Sequence, residues 1–512
     1  MRTFAASLWL LFLAPFALAN PNHQFNLKLG KINIETQKEK SMAFQKVSVE
    51  GYENNKEVGA PALPVKSLLL VGTPKTIQVS LKIKAEKTIE NLMPYPTQYE
   101  PCRCATDEKG FQYKESLYQE SSSYKVSYVG AFRGVPLSRL DIYLASYDVV
   151  SNATTFKTDV EIAFNSMEFS LPKGSYSDYL IISTSEMAPG LQDFISWKKS
   201  LGYNVILETI NSPNNTTAAI SELIKRHYTE SGTDFVMLIG DENMLPMFRV
   251  STSGSSQTPS DLKYYTMDGS ADYIPDMFAS RIVAKDLAEL RSTLKKSIEF
   301  EAKSFQDSSG LGRVIGIASN EGSNPSDNQY IQSIEKSFSD KLSTETVHLY
   351  QNDSVNSNPD YLNQVFSSGS FWLTYIGHGS GTSWPSMYRS YSTIDIPNIK
   401  NQETVKPIII DVACQNGRLL SYYLGTSFMT KNQGLGAVAY FGGSVNISWH
   451  PPAIMAQGIA SEHMAHNYAH LGEALLAGQI YLMAVWPNQS DVTDNLEWYH
   501  LQGDPGMNIS FK

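Results

Sequence analysis

Three cysteines in 512 residues are too few for a scaffold built on disulfides. Beyond the first twenty residues the chain has no apolar run of the roughly 20 residues that a spanning helix needs, so no membrane span is expected in the mature chain. It also lacks any long block of one charge: 51 acidic and 41 basic residues are interspersed, giving a formal net charge of -10. That balance argues against a nucleic-acid partner or an anionic membrane surface. The zinc-peptidase pattern His-Glu-x-x-His is absent, and no Gly-x-Ser-x-Gly surrounds Ser380 or Ser383, which speaks against a serine hydrolase.

The chain opens with Met1-Arg2, an apolar stretch from Leu8 to Phe16, and Ala17-Leu18-Ala19. This is the three-part layout of a secretory signal peptide, so residues 1–19 are read as a leader cut before Asn20, and the protein as exported, to a periplasm or beyond. A 42% hydrophobic content over this length predicts two or three folded units. Residues 20–173 carry short alternating runs such as Ile77-Gln-Val-Ser-Leu-Lys-Ile-Lys, the mark of a β-rich domain. Leu171-Pro-Lys-Gly-Ser-Tyr-Ser-Asp combines proline, glycine and serine as linkers do. From Tyr179 onward apolar strands alternate with amphipathic helices, which predicts a mostly parallel α/β sheet with helices on both faces over 174–512, in two subdomains of roughly 174–305 and 306–512. Ligands of such sheets bind beyond the carboxyl ends of the strands.

Two of those strands end in unusual residues: Tyr375-Ile-Gly-His378-Gly-Ser-Gly, and Ile410-Asp-Val-Ala-Cys414-Gln-Asn-Gly. Alone, Cys414 reads equally as a buried core thiol or as a nucleophile. If the two strands are parallel neighbours, however, thiol and imidazole emerge at one rim. A thiol of ordinary pKa is mostly protonated at neutral pH; a nearby imidazole takes its proton and later returns it to a leaving amine. The glycines flanking His378 let backbone N–H groups approach a developing oxyanion, and the N–H groups of Gly379 and Cys414 are the candidates for that hole. Cys102 and Cys104, within Pro101-Cys-Arg-Cys, are left open: free, bonded to each other, or metal-bound.

Ile376-Gly-His-Gly-Ser and Asp411-Val-Ala-Cys-Gln-Asn-Gly resemble the His and Cys motifs of the gingipain-type cysteine peptidases. Tyr179-Leu-Ile-Ile-Ser, Leu238-Ile-Gly-Asp, Ala318-Ser-Asn-Glu-Gly, Asn446-Ile-Ser-Trp and Gly503-Asp-Pro extend the likeness in the same order. The resemblance implies a caspase-like catalytic unit, a β-rich prodomain that acts as its own inhibitor, protein or peptide substrates, and a zymogen cut somewhere near Lys173. It implies that Glu321 approaches the catalytic histidine, and that Asn446 and Trp449 line the substrate pocket. Counted along the helix after Glu321, the position that holds an aspartate in arginine-specific members falls at Gln332, which leaves arginine specificity without support unless another acid reaches the pocket from elsewhere. No cofactor is implied beyond structural calcium, for which the acidic loop Asp268–Asp276 is a candidate holder. The sequence ends soon after Gly503-Asp-Pro, so the C-terminal modules of the large secreted members are not expected. His463, His466 and His470 would share one face of a continuous helix and so form a candidate metal set, set aside in favour of a solvated face. Asn-x-Ser/Thr triplets such as Asn152-Ala-Thr carry little weight as glycosylation sites. Two rivals to hydrolysis remain: a transpeptidase resolving the same acyl-enzyme with an amine, and a silent homologue that only binds peptides or proteins.

Overall fold

The computed structural model describes residues 23–39, 42–104, 110–119, 122–302, 312–322 and 325–511. The leader read over residues 1–19 and the subdomain boundary at 305/306 lie outside the described residues.

Alternating patterns in the N-terminal region become antiparallel sheets. Strands His23–Lys28, Val79–Glu90, Ala145–Asp148 and Ala153–Phe164 form one sheet; Glu53–Asn54, Pro64–Val71, Tyr124–Phe132 and Val135–Tyr143 form another. They close on a core of Leu68, Leu70, Leu140, Ile142, Val160 and Ile162, the period-2 apolar positions of their strands.

The C-terminal region holds two sheets. The first is parallel, in the order Asn204–Thr209, Asp178–Ser183, Phe235–Ile239, Phe278–Ile282. The second runs Glu345–Tyr350, Arg313–Ala318, Ser370–Ile376, Ile408–Val412, Ala439–Gly443 in parallel, and is finished by Tyr499–Gln502, antiparallel to its neighbour. Central strands are buried on both faces, which is why Ser370–Ile376 and Ile408–Val412 read as continuous apolar runs. The two sheets are tied by buried charge: Lys198 reaches both Glu301 and Asp504, at 2.8 and 2.6 Å, while Tyr179 donates to Asp504 at 2.8 Å.

Leu69, Val129, Phe132, Leu137 and Leu171 of the N-terminal region belong to the same core cluster as the first C-terminal sheet. The Tyr124–Phe132/Val135–Tyr143 hairpin also docks through its turn: the backbone N–H groups of Ala131, Arg133 and Gly134 donate to Asp272, Asp276 and Asp268. No helix among the described residues is long and apolar enough to cross a membrane.

Candidate active site

Strand register brings the two motifs together. Ser370–Ile376 and Ile408–Val412 are adjacent and parallel, with Ile376 opposite Val412, so His378 and Cys414 leave the sheet at matching positions on one rim. The approach is close: a Cβ on Gly379 would lie 2.2 Å from the Cys414 carbonyl oxygen and 2.8 Å from its nitrogen, so only glycine fits. Past the cysteine the chain turns sharply through Gln415 at φ 62°, fixed by Gln415 N–H on the Val445 carbonyl at 2.8 Å. The Gly379 and Cys414 N–H groups donate to nothing among the described residues. The Cys414 sulfur accepts the Ile447 N–H at 3.4 Å, and burial pushes its thiol up to about 11.

His378 stands between two acceptors. Its Nε2 lies 3.1 Å from both Glu321 oxygens, and its Nδ1 is 2.5 Å from the carbonyl oxygen of Arg103. A carbonyl only accepts, so the short contact at Nδ1 is an N–H donated to Arg103, while Nε2 faces the Glu321 carboxylate.

Arg103 belongs to the N-terminal region, and sequence reasoning passed over it while weighing its neighbouring cysteines. Its N–H donates to the Ile447 carbonyl at 2.9 Å, and Cys102 forms an antiparallel bridge with Ser448. The segment 102–103 thus adds to the chain at 447–448 as an extended peptide adds to a strand. The guanidinium is fully buried against Asp327 in a two-bond pair of 2.8 and 2.9 Å, packs 4.4 Å above the Trp449 ring, and donates to the Trp449 carbonyl. The pairing is charge-assisted, bidentate and stacked on an aromatic face, the geometry that suits a guanidinium.

Asp327 is the first residue of helix Asp327–Ser339, capped by Ser326 with Gln329 returning the bond. Ser319 Oγ donates to Asp327 at 2.7 Å and accepts the Glu321 N–H at 3.0 Å, so one hydroxyl couples the pocket floor to the loop bearing the histidine's partner. Gln332 is not at the pocket. It lies more than a turn further along, exposed, with its side chain bonded to Tyr350. The acid that meets the Arg103 guanidinium is Asp327 at the helix start, not a residue at position 332. Trp449 lies beside Arg103 and edge-on to His378, ring centroids 5.7 Å apart. Asn446 accepts from Gln415 at 2.8 Å, next to the cysteine turn but without a contact to Arg103.

Cys102 and Cys104 are bonded to each other. The histidine trio does not form one helical face, because helix His450–His466 ends at Asn467 in a left-handed conformation. His463 is buried, His466 pairs with Glu462, and His470 caps the next helix against Glu473. Asp268, Asp272 and Asp276 gather their carboxylate oxygens within 4.8 Å, an all-oxygen set of the kind calcium takes, although several lone pairs already receive backbone N–H groups from the docked hairpin.

The sequence profile of peptidase family C25 matches residues 173–510, and the C25 propeptide profile matches residues 23–174. Gingipain R2 of Porphyromonas gingivalis is 24% identical over 350 residues, covering 64% of this chain and 45% of its own length. Lys-gingipain HG66 of the same organism is 23% identical over 494 residues, covering 84% of this chain and 28% of its own length. The chain thus spans less than half of these relatives. The crystal structure of the Arg specific cysteine proteinase gingipain R superposes with a TM-score of 0.60 at 23% identity, over 67% of this chain and 80% of that one. The complex of the pro- and mature domains of Porphyromonas gingivalis RgpB gives a TM-score of 0.58 at 22% identity, over 65% and 80%. The α/β fold is therefore the caspase-like fold of these structures, with a β-rich propeptide region before it, and the chain belongs to peptidase family C25.

Proposed function

We propose that the protein is the latent precursor of an exported cysteine endopeptidase that cuts peptide bonds after arginine. One observation carries this reading: Arg103 is held at the site as a substrate arginine would be, side chain on buried Asp327 and N–H on Ile447, but with its carbonyl turned onto His378 instead of the Gly379 and Cys414 N–H groups. The N-terminal region then acts as an inhibitor that offers its own arginine.

With the inhibitor gone, His378 Nδ1 loses its carbonyl partner and is free to accept the Cys414 proton. Glu321 on Nε2 orients the ring and stabilises the imidazolium. The thiolate attacks the carbonyl carbon after the bound arginine, and the Gly379 and Cys414 N–H groups receive the oxyanion. His378 returns the proton to the departing amine, and water hydrolyses the thioester. Thiol, imidazole, carboxylate and backbone N–H groups supply every step; a calcium ion at Asp268, Asp272 and Asp276 would only brace the fold. Export rests on the leader-like first 19 residues.

Processed enzyme incubated with an arginyl peptide and an added amine gives only the hydrolysed acid if the reading holds. An amide product points to transpeptidation, and no product, with no labelling by thiol-directed ketones, points to a silent binder.

A further inference from the structure

Resting on the reading just given, we propose that the Cys102–Cys104 disulfide is a redox-active modification site. A small dithiol opens it, and opening turns the inhibitory loop into a substrate.

The bond closes a ring through one intervening residue, and that residue is the arginine in the pocket. Either sulfur's residue is only partly buried, so a small reductant has access, whereas Cys414 beneath is buried. The ring acts on the scissile position in two ways. It holds the Arg103 carbonyl on His378 Nδ1, 2.5 Å away, so the ring nitrogen that must accept the thiol proton is itself donating. It also folds the would-be leaving nitrogen back: the Cys104 N–H donates to Cys102 Sγ at 3.1 Å. Were the Arg103–Cys104 bond cut, the new amine would remain tethered beside the acyl carbon by the intact disulfide. From there it would re-form the amide and expel Cys414, so cleavage would gain nothing.

Reduction removes both restraints. The Cys102–Cys104 bond takes two electrons and two protons from the dithiol, which closes to its own disulfide. The carbonyl then leaves His378 for the Gly379 and Cys414 N–H groups. His378 Nδ1, released from the carbonyl, gives its proton to water and takes the Cys414 thiol proton as the sulfur bonds to the Arg103 carbonyl carbon; the bond to Cys104 nitrogen then breaks as that nitrogen receives the proton from His378, and the freed amine moves away. Water releases Arg103 as a carboxylate and restores the thiol. An exported chain meets surroundings in which such a disulfide persists until a reductant arrives.

The test uses the full precursor, oxidised, as wild type and as C102S/C104S, each with and without a phosphine reductant. Labelling of Cys414 by an arginyl acyloxymethyl ketone and the fragment masses after denaturation are followed together. The oxidised wild type should label slowly and stay uncut. Phosphine should speed labelling about tenfold or more, a modest share of what a loop-ordering disulfide contributes, with a cut after Arg103. The double variant should be fast and cut without phosphine, and indifferent to it. If the variant is as latent as the oxidised wild type, or if phosphine speeds variant and wild type alike, or leaves the wild type unchanged, the latch is wrong. Should the variant not fold, the wild-type arm decides alone. Enzyme freed of residues 23–173 separates the two claims: if it cleaves arginyl peptides while the precursor ignores phosphine, only the latch fails; if it cleaves none, the functional reading fails.

Discussion

Asp327→Asn is the perturbation whose outcome the pocket geometry states most sharply. The carboxylate and the guanidinium it holds are both at 0% side-chain exposure, so no solvent takes over when one partner loses its charge. Removing one member of such a buried pair costs about 3–5 kcal/mol, because the other is left charged and dry. At about 1.4 kcal/mol per factor of ten, that is roughly two to three and a half orders of magnitude. Asparagine keeps one accepting oxygen, so the lower end applies: kcat/KM on arginyl peptides should fall about 100-fold. Peptides with leucine before the scissile bond should change little, since they never used the charge. Gln332→Ala, on the outer face of the same helix, should leave both substrates unaffected. The assay is initial rates of processed enzyme on a matched arginine, lysine and leucine series. An unchanged arginine-to-leucine ratio in Asp327→Asn would refute the assignment of the pocket floor. Since Arg103 relies on the same carboxylate, the variant precursor should also be less latent.

Glu321→Gln keeps the shape of the histidine's partner and removes its charge, so kcat should fall about 10- to 100-fold with KM little altered, in the range of lost orienting groups; an equal rise in KM would instead mean a role in binding. Docking of the N-terminal region should weaken as pH rises. Burial pushes the Glu100 carboxyl up to about 7, against the pull of Lys56 and of the His450 N–H it accepts at 2.9 Å. A carboxyl raised in the docked state favours docking fully below its free value of 4.5 and loses that contribution as pH climbs through 7. Comparing wild-type precursor with Glu100→Gln cancels the intrinsic titration of the thiol: the wild-type to variant ratio of Cys414 labelling rates should rise across this window, and a flat ratio would remove Glu100 from the account. The buried thiol works in the same sense at higher pH, since its raised value lets the precursor lose stability between about 9 and 11; urea midpoints for wild type and Cys414→Ser should converge there.

The catalytic sheets were readable because fully buried strands leave uninterrupted apolar runs, and His378 and Cys414 stood out because each follows such a run with glycines beside it. Register alone then aligns them. Pairings distant in the chain were not readable. Arg103 and Asp327 are 224 positions apart, and nothing local distinguishes an arginine destined for a pocket from a solvated one. The nearest signals are the place of Arg103 between Cys102 and Cys104, whose pairing only the structure shows, and the serine before Asp327 that reads as a helix cap. Position along the helix does not encode which residue faces the rim: Asp327 at its first turn meets Arg103, whereas Gln332 points outward to Tyr350. The three histidines looked co-facial only if one helix continued through Asn467, and that residue's left-handed backbone ends it. The antiparallel closing strand Tyr499–Gln502 likewise depends on the return of the chain after helix Gln489–Trp498, which periodicity does not encode.

Cleavage-site profiling of the processed enzyme on a random peptide library, with Cys414→Ala as control, tests the central claim most directly. The account predicts cuts carried by the Cys414 enzyme alone, with arginine dominating the position before the broken bond. Cuts that persist in the alanine variant, or that fall after uncharged residues as readily as after arginine, would contradict it.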